Sequence, residues 1–435
     1  MKLHQKLFWL FIFLLPLQLG RHFWPASSFV LGLRVDYLSP TIYLTDILVF
    51  SILALWVFDL ILHSKFSIFH FLQRYWWVVA IFVFLLVNAF LAQNQEAAFY
   101  QLIKILELSL LAFYVAQNHD HLPRIALPLS LAVFYSSLIA IAQFFKQSSL
   151  NGFFWWLGER TFSVATPGIA KAIINGELMM RPYGTFPHPN VLAGFLLIGL
   201  ILTIPYFDPP IGGEKQGLPY LFQKNKFLFV GYLLVVILAI GFSFSRSVWL
   251  LGLIFSLFFL GKSKIPKKFF WLAGGFWLII LILAFYLLPH FSTNEAFFQR
   301  MQLMKAALLM IKASPLSGVG LNNFIVRLPE FWPVTGFTYW LQPVHNLYLL
   351  LFSETGAVGF LIFLWLLILV FKRLLKLSLV ANFSLFRASA RNKLHLLMAL
   401  VAILLLGLTD HYWLTLQPGQ ILLALVLGLA WSSKI

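Results

Sequence analysis

Three side chains near the ends of apolar segments have the chemistry to hold a diphosphate and to remove a proton. Arg246 lies in the segment Phe-Ser-Phe-Ser-Arg-Ser, between two apolar runs with almost no loop between them. Arg300 flanks the apolar stripe of a helix-forming segment, and His345 stands at the start of a long apolar run. Guanidinium groups bind phosphate oxygens in a bidentate manner. Neutral imidazole, with a reference pKa of about 6.5, can accept a proton from a hydroxyl. These residue types, in these positions, predict a catalytic histidine beside two diphosphate-binding arginines.

A second set of polar residues could complete a ligand cavity. The run from Arg181 to Asn190 reads Arg-Pro-Tyr-Gly-Thr-Phe-Pro-His-Pro-Asn, and its prolines predict a rigid start to the next apolar segment. Asp410-His411 follows a late apolar run and could orient a base or bind sugar hydroxyls. In the alternative interpretation these residues have no ligand: the cations snorkel at the interface, the prolines are structural, and Asp410-His411 is ordinary interfacial polarity. The candidate cavity and acceptor residues are Arg181, His188, Asn190, Asn346, Gly356 and Asp410.

Helical spacing relates His345 to the residues that follow it. A helix beginning near His345 would place Leu349, Phe352 and Gly356 on the face of the histidine. Glu354 would point the opposite way and lie about 13 Å further along the axis, at a rise of 1.5 Å per residue. The pattern therefore predicts that Glu354 is not the local partner of His345.

The composition indicates that lipid surrounds these residues. Of 435 residues, 61% are hydrophobic, 18% are aromatic and only 10% are charged, whereas soluble domains carry about 25% charged residues. Apolar runs recur at lengths that suit a hydrocarbon core of about 30 Å. We predict an all-α, polytopic integral membrane protein forming a single transmembrane domain over 1–435, with about twelve spans. The predicted spans lie near 7–20, 44–62, 76–92, 98–117, 126–145, 188–206, 227–243, 247–261, 269–289, 345–371, 394–412 and 417–432.

The distribution of basic residues predicts the topology. With the N-terminus in the cytoplasm, the inner loops hold more Lys and Arg than the outer ones, as the positive-inside rule requires. The net charge of +17 is then explained by topology and anionic lipids rather than by nucleic acid. The start of the chain resembles a signal peptide, but an uncleaved first helix is expected. Lys104 and Glu107, three residues apart inside a span, are predicted to form an internal ion pair.

The two long outer loops, 146–187 and 290–344, are predicted to be extracytoplasmic and to carry function. The second loop opens with a Ser-x-x-Glu capping box at 292–295. Helical spacing then predicts an amphipathic helix lying over the bundle, and Ser314-Pro315 should end it before the Gly-Val-Gly turn. Its predicted apolar stripe consists of Phe297, Met301, Met304, Leu308 and Ile311.

Several kinds of chemistry have no motif in the sequence. Cysteine is absent, which excludes thiol catalysis and cysteine metal sites. The sequence has no P-loop, no His-Glu-x-x-His, no Gly-x-Ser-x-Gly and no Asp-x-Asp pair. We therefore expect no cofactor and no metal, and we expect activity that does not depend on ATP.

Three segments together resemble the O-antigen ligase and polymerase family of bacterial envelope glycosyltransferases. They are the Arg-Pro-x-Gly-Thr-Phe-x-His-Pro-Asn run at 181–190, Ser-Arg-Ser at 245–247, and the histidine at 345 with a glycine at 356. The segment from Arg300 through Ser-Pro-Leu-Ser-Gly-Val-Gly at 314–320 is similar to that family's run into its large periplasmic loop. The resemblance is strongest over 181–370.

The resemblance implies a transferase in the bacterial inner membrane, with its active site facing the periplasm. Such proteins move a glycan from an undecaprenyl diphosphate carrier to a hydroxyl of lipid A core or of another glycan or lipid acceptor. Carried over to this chain, Arg246 and Arg300 would hold the diphosphate and His345 would activate the acceptor. The implied architecture is a bundle of about twelve helices related to the GT-C membrane glycosyltransferases.

Other functions remain open at this point. A polysaccharide polymerase or a protein oligosaccharyltransferase would share these motifs. A flippase or transporter for a lipid-linked anion could use the same arginines, but transporters usually place the site near the bilayer midplane between repeated halves, and no repeat is visible here. A channel would need polar rings along the spans, which the sequence lacks.

Overall fold

The apolar runs fold as helices because a helix satisfies its backbone polar groups within one segment, which lipid demands. The computed structural model describes residues 2–63, 73, 75–118, 122–174, 176–204, 226–260, 275, 294–332, 341–379 and 387–432. Within them the helices are α1 Leu3–Phe13, α2 Leu44–His63, α3 Trp76–Leu91, α4 Gln95–Gln117, α5 Leu122–Lys146, α6 Pro189–Thr203, α7 Lys226–Phe242, α8 Arg246–Leu260, α9 Asn294–Ala313, α10 Phe324–Phe331, α11 Leu347–Leu379, α12 Arg387–Leu406, α13 Tyr412–Thr415 and α14 Gln417–Trp431.

The molecule is an all-α membrane protein. Four helical segments in the described part are long and apolar enough to cross a membrane: Leu44–Leu62, Gln95–Gln117, Ile125–Lys146 and Leu347–Leu375. Further apolar helices, such as α6 and α14, are shorter, at 15 residues each. The predicted span at 269–289 lies outside the described residues. The count of twelve spans therefore stays a prediction.

Short antiparallel strands occur in two of the predicted outer loops. Strand β1 (Gly20–His22) pairs with β4 (Thr41–Tyr43), and β2 (Phe29–Val30) pairs with β3 (Leu33–Arg34). In the other loop, β5 (Lys171–Ile174) and β6 (Glu177–Met180) form a hairpin. The loop 20–43, which the sequence analysis did not single out, is thus ordered and lies at the end of the bundle where α4 and α14 begin.

The two larger of three apolar clusters in the described part of the chain hold these parts together. The main core joins residues of α1, α2, α4–α8, α11, α12 and α14. A second cluster joins loop 20–43 to α9, α10 and the start of α11, through residues such as Val35, Leu38, Leu303, Phe324 and Leu350. We call loop 20–43, α9 and α10 the outer cap. The contacts within the outer cap hold α9, which carries Arg300, over one end of the bundle.

The apolar stripe predicted to hold α9 against the protein is the wrong one. Phe297 and Leu308 are 66% and 54% exposed, and Met301 and Met304 are exposed as well. The packed face is instead formed by Leu303, Ala306, Ala307 and Met310. Small alanines let the helix approach the cap closely, while the larger side chains of the predicted stripe point outward. The predicted capping box includes Ser292 and Thr293, which lie outside the described residues.

The helix that follows His345 departs from the predicted continuous spacing. It begins at Leu347 rather than at His345, and Gly356 interrupts it with φ 64° and ψ −169°. The segment Pro315–Gly320 fills the break: the backbone N–H groups of Val319 and Gly320 donate to the carbonyls of Ser353 (2.8 Å) and Glu354 (3.0 Å). Positive φ at this position explains the glycine. Gly356 therefore does not share a helical face with His345.

The predicted ion pair inside α4 is confirmed. Lys104 Nζ lies 2.8 Å from Glu107 Oε2 and 2.7 Å from Asp46 Oδ1, with only 5% of the lysine side chain exposed. The Gln417 side chain also donates to Asp46. Because each buried charge has an opposite partner, the group can lie within the bundle. It links the start of α2 to α4 and α14.

Candidate functional site

A chain of hydrogen bonds joins the predicted cavity residues at the end of the bundle covered by the outer cap. The Arg181 side chain donates to the Ser243 carbonyl and to Asn190 Oδ1, both at 2.7 Å. Asn190 Nδ2 donates to Asp410 Oδ2 at 3.0 Å, and the His411 backbone N–H donates to Asp410 Oδ1 at 2.9 Å. The sequence placed these residues in three distant segments. The fold connects them into one polar network.

Local structure fixes the members of this network. Proline at the first helical position and His188 at the cap begin α6, and the Asn190 backbone N–H donates to His188 Nδ1 at 3.1 Å. That bond requires His188 Nδ1 to be an acceptor. Asp410 lies between the end of α12 and the short helix α13, so its carboxylate reaches the start of α6 across the packed pair α6 and α12.

His345 lies beside this network, two residues before α11 begins. Its ring centroid is 5.2 Å from that of His411. Its Nδ1 atom is buried and has no hydrogen-bond partner within the described part of the chain. A buried polar atom without a partner is unusual in a folded protein. His345 therefore retains an unused donor or acceptor position at the point where the candidate residues meet.

The electrostatic surroundings keep His345 neutral. Burial lowers its pKa below 6.5, and Arg300 lowers it further, while Asp410 acts in the opposite direction. A neutral imidazole can take up a proton, and the neighbouring carboxylate stabilises the imidazolium that results. The arrangement suits a general base.

Asp410 is ionised although it is fully buried. Burial alone would raise its pKa, but His411, His345 and His188 and the hydrogen bond from Asn190 outweigh burial and hold the pKa below its ordinary value. Burial is in turn the largest cause that lowers the pKa of His188 and that of His411 to about 3 each. One carboxylate thus faces three imidazoles.

Three arginines surround the histidines. Arg300 acts electrostatically on His188, His345, His411 and Arg181, and Arg246 acts on Arg181. Arg181 is half-buried, and burial lowers its pKa to about 10. Arg246 and Arg300, by contrast, are exposed at their helix surfaces. The fold therefore brings together like charges, which favours binding of an anion between them.

A cavity of about 910 Å³ lies against His345. His188, His345, Asp410 and His411 line it, together with residues of loop 20–43, α4 and α14. Arg246, Arg300 and Arg181 are not among its described lining residues. The histidines therefore line a partly open cavity whose described wall does not include the arginine pair.

Two predicted cavity residues have other positions. Asn346 caps α11: its Oδ1 accepts from the backbone N–H groups of Tyr348 and Leu349, at 3.0 and 2.9 Å. Gly356 lies against the Leu316 carbonyl and Gly318 rather than along the described cavity wall. Both orient the helix that follows His345. Neither is among the described lining residues of the cavity, and their assignment to a ligand site stays a prediction.

The sequence analysis missed several cavity residues. Tyr37 of loop 20–43 packs its ring 5.5 Å from that of His411, and Asp36 lines the same wall. Glu354 also lines the cavity, where its carboxylate accepts from the Phe324 backbone N–H at 3.2 Å. Only the length of loop 20–43 could have drawn attention to it. The two strand pairs that fold the loop over the bundle have no strong sequence signal.

Residues 231–364 match the O-antigen ligase family model, Wzy_C. The matched region includes Arg246, Arg300 and His345, whereas the run at 181–190 and Asp410 lie outside it. No curated protein matches the chain. The match confirms the resemblance inferred from the sequence motifs.

Proposed function

Because residues 231–364 match the O-antigen ligase family model, we propose that this protein is a membrane glycosyltransferase that moves a glycan from undecaprenyl diphosphate to an acceptor hydroxyl. One observation carries the proposal. His345, with a buried and unpaired ring nitrogen, is under the electrostatic influence of both Asp410 and Arg300, and Arg300 in turn acts on Arg246. A base, a carboxylate that stabilises its protonated form and a binding site for a leaving diphosphate are the groups that such a transfer needs.

The proposed reaction is a single displacement at the anomeric carbon. His345 takes the proton from the acceptor hydroxyl as the oxygen attacks that carbon. The bond between the carbon and the phosphate oxygen breaks, and the electron pair leaves with undecaprenyl diphosphate. Arg246 and Arg300 stabilise the negative charge that develops on the leaving group. The imidazolium next to Asp410 then releases its proton to solvent.

The network behind the histidine acts by positioning. Arg181 fixes the Asn190 side chain, which in turn holds Asp410 at 3.0 Å. None of these side chains needs to touch the donor for this role, because Asp410 acts on His345 through its charge. Correct orientation of reacting groups contributes several kcal/mol to catalysis, on the order of 7–11 kcal/mol in the best cases. Loss of any member should therefore lower turnover more than it weakens donor binding.

The proposed location is the outer face of the bacterial inner membrane. The residues that converge here come from loops that the charge distribution assigns to the outside. A site at one end of the bundle favours transfer over transport, which usually places its ligand at the midplane. A ligase and a polymerase would share this chemistry and differ in the acceptor, which the mass of the product would identify.

The role of Arg246 can be tested by replacing it with lysine. Arg246→Lys keeps the charge but cannot bind two phosphate oxygens side by side. We expect kcat/KM for the lipid-linked donor to fall by roughly ten- to a hundredfold, in line with about 1.5–3 kcal/mol for a charged hydrogen bond. Arg327→Lys is the matched control, since Arg327 pairs with Glu330 on the surface of α10 at 2.7 Å. Wild-type turnover in Arg246→Lys would indicate an interfacial arginine that only snorkels.

A further inference from the structure

A short segment of loop 146–187 presents large aromatic side chains to the surroundings rather than to the protein. It is the 3₁₀ helix Gly152–Leu157, with the sequence Gly-Phe-Phe-Trp-Trp-Leu, and we call it the aromatic segment. Phe153, Trp155 and Trp156 are 69%, 54% and 64% exposed, and no residue of the segment is buried. Exposed apolar surface of this kind marks a site of contact with a protein or with a membrane.

Polar contacts on both sides of the aromatic segment fix its backbone. The carboxylate of Glu159, which follows the segment, is buried and accepts from the backbone N–H groups of Leu150 and Asn151, which precede it, at 2.7 and 2.8 Å. The same carboxylate accepts from Gln143 Nε2 of α5 at 2.6 Å. One buried side chain thus ties both ends of the segment to α5, and a fixed backbone holds the rings in their exposed positions.

The same contacts place the aromatic segment at the level where α5 ends. Gln143 lies in the last turn of α5, which ends at Lys146. Lys146 Nζ donates to the carbonyls of Ser149 and Leu150 at 2.9 and 3.0 Å. The segment begins two residues after Leu150, which is at most about 7 Å of extended chain. Because Ile125–Lys146 is long and apolar enough to cross a membrane, the segment lies near the membrane surface at this end of the bundle.

An uncovered apolar stripe on α5 leads to the aromatic segment. Within Ile125–Lys146 the exposed apolar side chains are Leu131, Leu138 and Phe145. They stand seven residues apart, so they form one stripe along the helix. Other parts of α5 pack against α1, α6 and α7. An apolar stripe that neighbouring helices leave uncovered on a spanning helix faces hydrocarbon. The stripe ends at Phe145, in the turn of α5 to which the segment is attached.

The charges beside the aromatic segment fit a lipid surface. From Lys146 to Arg160 the charged residues are these two cations, which are exposed, and Glu159, which is buried. Exposed tryptophan and phenylalanine next to basic residues are typical of segments that lie in the interface of a membrane with anionic lipids. The lipid-facing stripe and the flanking cations together favour lipid over a partner protein.

We propose that the aromatic segment inserts into the interfacial region of the lipid leaflet at this end of the bundle. Phe153, Trp155 and Trp156 contact the upper part of the acyl chains, and Lys146 and Arg160 lie at the level of the lipid phosphates. Arg160 and the loop that follows it also line the cavity beside the histidines. The contact therefore holds this wall of the cavity at the membrane surface. It does not depend on the proposed transfer reaction.

Fluorescence quenching in nanodiscs tests this contact. The chain contains no cysteine, so Trp155→Cys provides a single thiol for a nitrobenzoxadiazole label. Glu177→Cys is the control, because Glu177 is an exposed, charged residue at the start of β6 in the same loop. The nanodiscs contain phosphatidylcholine and phosphatidylglycerol, with and without a phosphatidylcholine that carries a doxyl group near the top of one acyl chain. Iodide is the quencher in the aqueous phase.

The two quenchers should give opposite orders for the two variants. We expect the doxyl lipid to quench labelled Trp155→Cys about three times as strongly as labelled Glu177→Cys, and iodide to quench it about three times less. Phe153→Cys should behave as Trp155→Cys does. Equal quenching by iodide in Trp155→Cys and Glu177→Cys would show that the segment lies in water, and the proposal would be wrong. Protection of Trp155→Cys from both quenchers would show that protein, such as a second copy of the chain, covers the segment, which would also overturn it.

Discussion

Replacement of Gly356 by alanine would test how the outer cap is held over the site. Gly356 has φ 64° and ψ −169°, a region that essentially only glycine occupies. A Cβ atom there would overlap the Leu316 carbonyl and lie 2.6 Å from Gly318 N. Backbone surrounds this position, so no side chain can move aside. The segment Pro315–Gly320 must therefore leave the break in α11 or be displaced within it.

The free-energy cost of Gly356→Ala follows from the contacts that would be lost. Forcing alanine into this backbone region costs about 1–3 kcal/mol. The break also holds hydrogen bonds from Val319, Gly320 and Ala357 N–H groups at 2.8–3.0 Å, each with a net contribution of about 1 kcal/mol. We expect the docked segment to lose about 3–5 kcal/mol relative to its undocked state. At 1.36 kcal/mol per factor of ten, this corresponds to roughly two to four decades in its opening equilibrium.

Hydrogen exchange measures this loss directly. The amides of Val319 and Gly320 should exchange about a hundredfold to ten-thousandfold faster in Gly356→Ala than in the wild type. The rate of glycan transfer should fall as well, because the segment Pro315–Gly320 directly follows α9, which carries Arg300. Gly231→Ala is the control, since a Cβ atom there meets no atom within 4 Å. Unchanged exchange at 319–320 in Gly356→Ala would refute this account of the helix break.

Two further predictions concern protonation and topology. Asp410→Asn should move the acid limb of the pH–rate profile to lower pH, because the carboxylate raises the pKa of His345 and the neutral imidazole is the active form. Turnover at neutral pH should fall by roughly tenfold or more. An acid limb that moves to higher pH would contradict this direction of the shift. In intact cells a membrane-impermeant maleimide should label Gln342→Cys, at the mouth of the cavity, and should label Lys2→Cys only after permeabilisation. The opposite pattern would show that the topology is inverted.

The sequence was sufficient to select candidate site residues, but not to predict how the fold brings them together. Residue type and position beside apolar runs were enough to select Arg246, Arg300 and His345, because charged groups are costly near lipid unless they have a role. The pair of Lys104 and Glu107 followed from helical spacing alone. Tertiary packing of α6 against α12 brings Arg181, Asn190 and Asp410 together, and no local sequence pattern predicts that packing.

The remaining differences have local causes. Periodicity predicted a continuous helix through Gly356, but the glycine allowed a break that a separate loop could fill. The apolar stripe on α9 was assigned to the protein interior, although in a membrane protein lipid and protein both cover apolar surface. The small residues Ala306 and Ala307 were the better indication of the packed face, since close approach of helices favours them. Loop 20–43 was overlooked because its strands are only two or three residues long.

The most direct test of the account is transfer of glycan from a synthetic undecaprenyl diphosphate donor in liposomes, comparing the wild type with His345→Gln in the presence of EDTA. His395→Gln serves as the control, since His395 is a buried histidine whose Nδ1 contacts the Ile201 carbonyl at 2.9 Å, away from the site. We expect the wild type and the control to form product and His345→Gln to lose about a hundredfold or more in turnover while still binding the donor. Wild-type turnover in His345→Gln would contradict the assignment of the base.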